Sequence, residues 1–299
     1  MNLLVTMTAA TRPAYTVRAI RAVRYAGYRG PILISVDHLG EESDRVLDAI
    51  EAEAQKSRLE IATRVNKPAL GLWGPQNNAW SVYDWAFEER GAEAILAIED
   101  DCILSPDAGE LCEWFIRRVS WPYPSHSFKG VGGTCEICGY ARRVTGPHQA
   151  GDEDYLFLSL ANNTPSEGGR PLDLWESIHV NSPWAWCFTL DAWRKIRRRW
   201  NSKTTAPIGW DWSLQYNMNL NHWRSLVPAL ARAKNVGLQG SSTNADRWYL
   251  DHLKDAEVSD GTHGSNYRIV PPVCPDSELN WNEPWMDAEA DREFGRVSV

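Results

Sequence analysis

Cysteine is sparse in this chain, with six in 299 residues, at positions 102, 112, 135, 138, 187 and 274. So thin a scatter argues against a disulfide framework. The one C-x-x-C, Cys135-Glu136-Ile137-Cys138, has no second pair at zinc-ribbon spacing, and His148 follows it in no metal-binding pattern, so a structural zinc is not expected. Long hydrophobic runs are lacking too. No apolar stretch approaches bilayer length, and Met1-Asn2 leads straight into Leu3-Leu4-Val5-Thr6. That reads as a chain without signal peptide, anchor or stem, and predicts a cytoplasmic location and no membrane partner. Positive charge is in the minority: 31 Lys and Arg against 39 Asp and Glu give a net charge of −8. This disfavours broad, nonspecific nucleic-acid binding while allowing a local basic patch. Phosphate-loop signatures are missing as well. Phe128-Lys129-Gly130-Val131-Gly132-Gly133 is rich in glycine, but no Gly-Lys-Ser/Thr follows and the spacing does not fit a dinucleotide fingerprint.

What is present is an ordinary globular composition, 43% hydrophobic and 23% charged, with an excess of tryptophan, sixteen in all. The length fits one large domain or two closely joined ones. The chain is organised around Ala94-Ile95-Leu96-Ala97-Ile98-Glu99-Asp100-Asp101, followed by Cys102-Ile103-Leu104-Ser105-Pro106-Asp107. Five apolar residues ended by three acids read as a strand buried on both faces. Three consecutive carboxylates at its carboxyl end repel one another and raise each other's pKa unless a cation or donor compensates. A divalent metal on a nucleotide diphosphate is one such compensation; a solvated acidic turn before a helix is the other reading.

The flanking segments read in order as strand (Leu3–Met7), helix (Tyr15–Tyr25), strand (Pro31–Asp37), helix (Glu41–Lys56) and strand (Leu59–Val65). That order predicts a doubly wound α/β nucleotide-binding half. Thr8-Ala9-Ala10-Thr11-Arg12-Pro13 supplies a cap-like Thr and a proline at the first helix start. A helix over Gln76–Arg90 carries Trp80, Tyr83, Trp85 and Phe87 as packing residues, and another spans Asp107–Val119. Gly139–Arg170 is polar and reads as an excursion loop; Leu174–Val180 leads to a buried turn and strand over Asn181–Leu190. Asp191 then caps a helix with Trp193, Ile196 and Trp200 inward and Arg194, Lys195, Arg197, Arg198 and Arg199 outward. Leu226–Leu230 is a late strand, and Gly237–Asn244 has the small polar composition of a loop that orders over a ligand.

In this order the segments resemble the GT-A glycosyltransferases, specifically N-acetylglucosaminyltransferase I and its relatives. The matching stretches are Pro31–Asp37 with Gly40-Glu41-Glu42, Ile98-Glu99-Asp100-Asp101 with Ser105-Pro106-Asp107, Pro183-Trp184-Ala185-Trp186, Trp210-Asp211-Trp212, Ala231–Gly237 with Gly240-Ser241, and Asp251-His252-Leu253. The resemblance implies a GT-A fold, a Rossmann-like doubly wound mixed sheet with an acceptor-side subdomain. Residues 1–120 would be the nucleotide-sugar half, 121–270 the acceptor and catalytic half, and 271–299 a wrapping tail. It implies Mn²⁺ or Mg²⁺ at Asp101 and His252, with Asp100 on the ribose, Glu99 on the donor sugar, Asp37 on the uracil of a UDP-sugar, and Arg12 and Ser241 beside the nucleotide. Asp211 would be the general base, with Glu176 and Asp246 next in line. One base and no covalent nucleophile implies inversion.

The chain departs from the family at Trp210-Asp211, where one acid of a tandem pair is missing, and around Leu70, where the family's basic donor-side sequence is absent. Small relatives of this fold include phage enzymes that glycosylate hydroxymethylated pyrimidines in DNA. The basic helix face and Trp184, Trp186, Trp210 and Trp212 make such DNA the expected acceptor, with phosphates on the arginines and a flipped base among the tryptophans. A glycan or protein acceptor, a nucleotidyltransferase, and a non-catalytic carbohydrate- or nucleic-acid-binding module are the alternatives.

Overall fold

The computed structural model describes residues 2–67, 73–120, 126–127, 147–148, 155–162, 170–177, 184–197, 214, 217–218, 223–237 and 258–270. The chain runs β1 (Leu3–Ala9), α1 (Pro13–Tyr25), β2 (Ile32–Asp37), α2 (Glu41–Ser57), β3 (Ile61–Asn66), α3 (Trp73–Asp84) and β4 (Ala94–Glu99). It continues through β5 (Cys102–Leu104), α4 (Ala108–Ser120), β6 (His126–Ser127), β7 (Pro147–His148), β8 (Tyr155–Ser159), β9 (Asp173–Ser177), β10 (Ala185–Thr189), α5 (Leu190–Arg197), β11 (Arg224–Pro228), β12 (Ala233–Asn235) and β13 (Arg268–Val270).

One mixed sheet in the order β13-β9-β11-β8-β10-β4-β1-β2-β3 forms the centre. Strands β3, β2, β1 and β4 are mutually parallel, and β10 joins β4 antiparallel. The alternation of side chains along each strand explains why the central strands read as continuous apolar runs. Val5, Met7, Ile32, Ile34, Leu96 and Ile98 pack on one face with Ile20 and Val23 of α1, Val46 and Ile50 of α2, and Leu111 and Phe115 of α4. Leu4, Leu33, Ile95 and Ala97 pack on the other with Val82 and Tyr83 of α3 and Trp193 and Ile196 of α5. Helices thus cover both faces, as the strand–helix order predicted.

Three local features differ from the sequence reading. The Gln76–Arg90 helix is α3 followed by one π turn over Trp85–Glu89, closed by the Arg90 amide on the Trp85 carbonyl at 3.1 Å; the wider turn lets Trp85 and Phe87 both enter the core. Second, α1 is capped by no hydroxyl: its N-cap is Arg12, with Pro13 following, and the Arg12 side chain is used elsewhere. Third, Tyr155–Ser159, inside the stretch read as a polar loop, is a fully buried strand between β10 and β11. Tyr155-Leu156-Phe157-Leu158 is itself a short apolar run of the kind a buried strand shows, set inside a polar stretch, and the strands on either side supply its burial. No described helix is long and apolar enough to cross a membrane.

Candidate functional site

β1 leads through α1 to β2 on one side, while β4 lies on its other side, so the crevice beyond the carboxyl ends of β1 and β4 is a topological switch point. Ligands of open α/β sheets bind at such crevices. Thr8 is level with Ser35 of β2 and with Glu99 of β4. The chain turns directly beyond, with the Asp100 amide on the Thr8 carbonyl at 3.1 Å and the Glu99 amide on the Trp184 carbonyl at 2.8 Å. Asp100 and Asp101 are therefore held at the edge of the sheet and are almost fully buried, 3% and 6% exposed.

Their compensation comes from the loop after β1. The Arg12 guanidinium donates Nη1 to Asp101 Oδ2 at 2.7 Å and Nη2 to Asp100 Oδ1. Burial works against the Arg12 charge, but the two carboxylates outweigh it and keep the group protonated. Asp100 is raised to about 6, first by burial and then by the Asp101 charge, with Arg12 opposing. Asp100 Oδ2 is buried with no hydrogen-bond partner among the described residues. Asp101 Oδ1 accepts Nδ2 of Asn235 at 3.1 Å, and its carbonyl accepts the Val236 amide at 2.8 Å. Asn235 was not singled out from the sequence. It arrives because β12 pairs antiparallel with β5, matching Asn235 with Cys102.

Asp37 closes β2 on the same edge, two strand spacings from β4, about 10 Å. Ser43 holds the turn behind it, donating its hydroxyl to the Asp37 carbonyl at 3.0 Å and accepting the Leu39 amide at 2.9 Å. The Asn66 amide donates to Ser35 at 2.8 Å and to Asn78 at 3.1 Å, and Asn78 donates to the Ala9 carbonyl at 3.0 Å, tying β1, β2, β3 and α3 together here. Burial raises Asp37 to about 6 from 3.8, with hydrogen bonding from Asn66 opposing. Between about pH 4 and 6 the unfolded chain loses this proton while the folded protein keeps it, so the contribution of Asp37 to stability falls as pH rises through that window. Asp37→Asn should therefore gain on the parent protein between pH 4 and pH 7 in urea titrations; a stability difference constant across that range would mean Asp37 is not raised.

The expected site residues divide cleanly. Arg12, Asp100 and Asp101 come together, Glu99 precedes them as the last residue of β4 and Asp37 lies on the same edge, whereas Asp211, Ser241 and His252 lie outside the described residues, as do Asp246, Trp210 and Trp212. Glu176 does not reach the acids. It is level with Leu96 but four strands away from β4, roughly 19 Å, and its carboxylate is taken by the Tyr155 hydroxyl at 2.6 Å and Arg224 at 2.9 Å. Trp186 is no stacking platform: it is 1% exposed and packs against Phe157 and Phe188, its indole N–H on the Tyr83 hydroxyl at 3.2 Å.

The basic helix α5 starts at the opposite edge of the sheet, where Thr189 pairs with Ala94, the first residue of β4. Arg197 binds Asp84 at 2.8 Å and Glu88 at 3.4 Å and lies over Trp80, and Arg194 lies 3.6 Å from Asp191. Arg198 and Arg199 lie outside the described residues. Among the described residues, no three His, Cys, Asp or Glu side chains form a group that could hold a metal ion.

No protein-family model matches the chain, and no curated protein matches it. Among solved structures it is similar to the mannosyltransferase PcManGT from Pyrobaculum calidifontis in complex with GDP-Man and Mn²⁺, at 10% identity and a TM-score of 0.45. That match covers 77% of this chain and 57% of the mannosyltransferase chain. The inositol-1-phosphate CTP transferase from T. maritima is 11% identical with a TM-score of 0.42, over 84% of this chain and 94% of that one. The nucleoside-diphosphate-sugar pyrophosphorylase from Vibrio cholerae RC9 is 11% identical with a TM-score of 0.40, over 83% and 99%. Likenesses this distant carry no functional argument, and the site stands on its own geometry.

Proposed function

We propose that the chain is a metal-dependent, inverting glycosyltransferase that moves a sugar from a UDP-sugar to an acceptor hydroxyl. The observation that carries this reading is the buried Asp100–Asp101 pair at the switch-point crevice, bridged by Arg12 and with Asp100 Oδ2 lacking a hydrogen-bond partner among the described residues. Two carboxylates sharing one guanidinium retain net negative charge, and their hard oxygens suit Mn²⁺ or Mg²⁺. Mg²⁺ is commonly held by one or two carboxylates together with substrate phosphates, so a third protein ligand nearby is not required. Asp101 would hold the cation, with His252 as a further ligand. When bound, such a cation supplies charge neutralisation for the departing diphosphate.

The chain's own residues do the rest. Asp37 orients the base, Asp100 the ribose, and Glu99 the sugar hydroxyls; Arg12 and Ser241 face the nucleotide. Asp211 takes the acceptor proton, and a diphosphate leaving group needs no protonating acid. The loop after β1 favours this over nucleotidyl transfer, since its cation, Arg12, is held by the two acids rather than presented on a glycine- and lysine-rich phosphate loop. For hydroxymethylated DNA as acceptor, Arg197 lies at the far edge of the sheet from the acids and is already ion-paired with Asp84 and Glu88.

The test is incubation with a panel of radiolabelled nucleotide sugars, with Mn²⁺ or with EDTA, alone and with a hydroxymethylcytosine duplex or a glycan mixture. Donor hydrolysis or transfer that requires Mn²⁺ is the expected result. Pyrophosphate release from a nucleoside triphosphate and a sugar phosphate would replace the reading with nucleotidyl transfer. Failure of every donor to bind or react would leave a non-catalytic module.

A further inference from the structure

We infer that Asn235 and Gly237 are positioning residues that set the Asp101 carboxylate; the inference rests on the reading of Asp101 as the metal-holding acid. Asn235 reaches Asp101 by strand pairing, not by proximity in sequence, since β12 lies against β5 just after the acids. Its amide has one orientation available. The Gly237 N–H donates to the Asn235 side-chain oxygen at 2.7 Å, so the NH₂ end is the one that faces Asp101 Oδ1. Arg12 holds Oδ2 at 2.7 Å, and the Val236 amide holds the Asp101 carbonyl. Each carboxylate oxygen of Asp101 thus has one fixed donor, and the Asn235 amide adds orientation without adding a second positive charge that would compete with a cation.

Gly237 completes the arrangement by having no side chain. A Cβ there would lie 2.1 Å from Asp101 Oδ2 and 2.9 Å from its Cγ. The backbone at Gly237 is not in the left-handed region, unlike Gly27 at φ +81°. The requirement for glycine at 237 therefore comes from the approach of the carboxylate, not from chain conformation. Even alanine there forces a shift of the Asp101 carboxylate or of the chain at 237 that carries the Asn235 contact.

The experiment titrates the parent protein, Asn235→Leu, Asn235→Ser and Gly237→Ala with Mn²⁺ alone, by manganese paramagnetic resonance, and with UDP in Mn²⁺ or EDTA, by calorimetry. Asn235→Leu and Gly237→Ala should weaken Mn²⁺ binding about tenfold to a hundredfold, the usual effect of removing an outer partner of a metal ligand. Asn235→Ser, which keeps a donor, should fall between Asn235→Leu and the parent. UDP affinity in EDTA should change little. Should Gly237→Ala not fold, the two Asn235 variants decide the matter. Variants that bind Mn²⁺ like the parent would overturn the inference and leave the proposed function standing. A parent that binds neither Mn²⁺ nor UDP with Mn²⁺ overturns both.

Discussion

Replacing Arg232 with Met should destabilise the protein by about 3–5 kcal/mol, the usual consequence of removing one member of a buried ion pair. Arg232 is completely buried, an unusual state for arginine. Its Nε donates to Asp107 Oδ2 at 2.8 Å, Nη2 to the Pro171 carbonyl at 2.8 Å, and Nη1 to the Leu230 carbonyl, while its guanidinium lies over the Tyr267 ring. Asp107 is also held by the hydroxyls of Ser105 at 2.6 Å and Ser259 at 3.0 Å. Removing the cation leaves that carboxylate buried with two neutral donors, and removing Asp107 strands the guanidinium. The double change Arg232→Met with Asp107→Leu should recover much of the loss, because the penalty comes from the unpaired charge more than from losing the attraction. Urea unfolding of the two single variants and the double variant measures this. A loss below about 1 kcal/mol in Arg232→Met would mean water reaches the pair. The network bears on the site because the Ser105 amide donates to the Arg232 carbonyl at 2.9 Å, three residues before Asn235.

Asp101→Asn and Asp211→Asn should fail in opposite ways. The first removes one charge from the pair that Arg12 bridges, so the retained Asp100 carboxylate and the guanidinium nearly cancel and little remains to attract a cation. Metal-dependent UDP binding should be lost while the fold persists, since removing charge from a repulsive cluster is mild. Asp211→Asn should instead lower kcat by about two to four orders of magnitude with UDP-sugar binding intact, the range expected for a positioned general base. Calorimetry with UDP and Mn²⁺, run beside single-turnover kinetics, separates the two. Unchanged UDP affinity in Asp101→Asn would remove it as the metal-holding acid. Unchanged turnover in Asp211→Asn would move the base to another residue, with Glu176 already disfavoured by its distance and its partners.

The parallel half of the sheet was legible because each element there is determined locally. Apolar runs in β1, β2 and β4 are continuous since both faces are covered, and α1 and α2 show their inward residues at helical spacing. The acidic end of β4 was legible for the same reason, but the choice between a ligand site and a solvated turn was not; the burial of Asp100 and Asp101, 3% and 6% exposed, argues against the solvated turn. β8 carries the same signal in Tyr155-Leu156-Phe157-Leu158, but the polar residues around it obscured the run; its place between β10 and β11, across some thirty to seventy positions of chain, is what no local period records. The tryptophans illustrate the limit: Trp193 reads as core and is core, whereas Trp186, read as a stacking candidate, is equally one of the largest fully buried side chains among the described residues.

By itself the sequence determined the order of strands and helices from β1 to β4, the acidic end of β4, and the presence of Arg12 at the start of α1. Only the tertiary structure decided what neutralises those acids, where the basic helix lies, and which residue steadies Asp101. The physical reason is one of range. Periodicity and capping act over a few residues. Arg12 meets Asp100 across 88 positions and Asn235 meets Asp101 across 134, contacts that exist only once the strands carrying them have found their places in the fold.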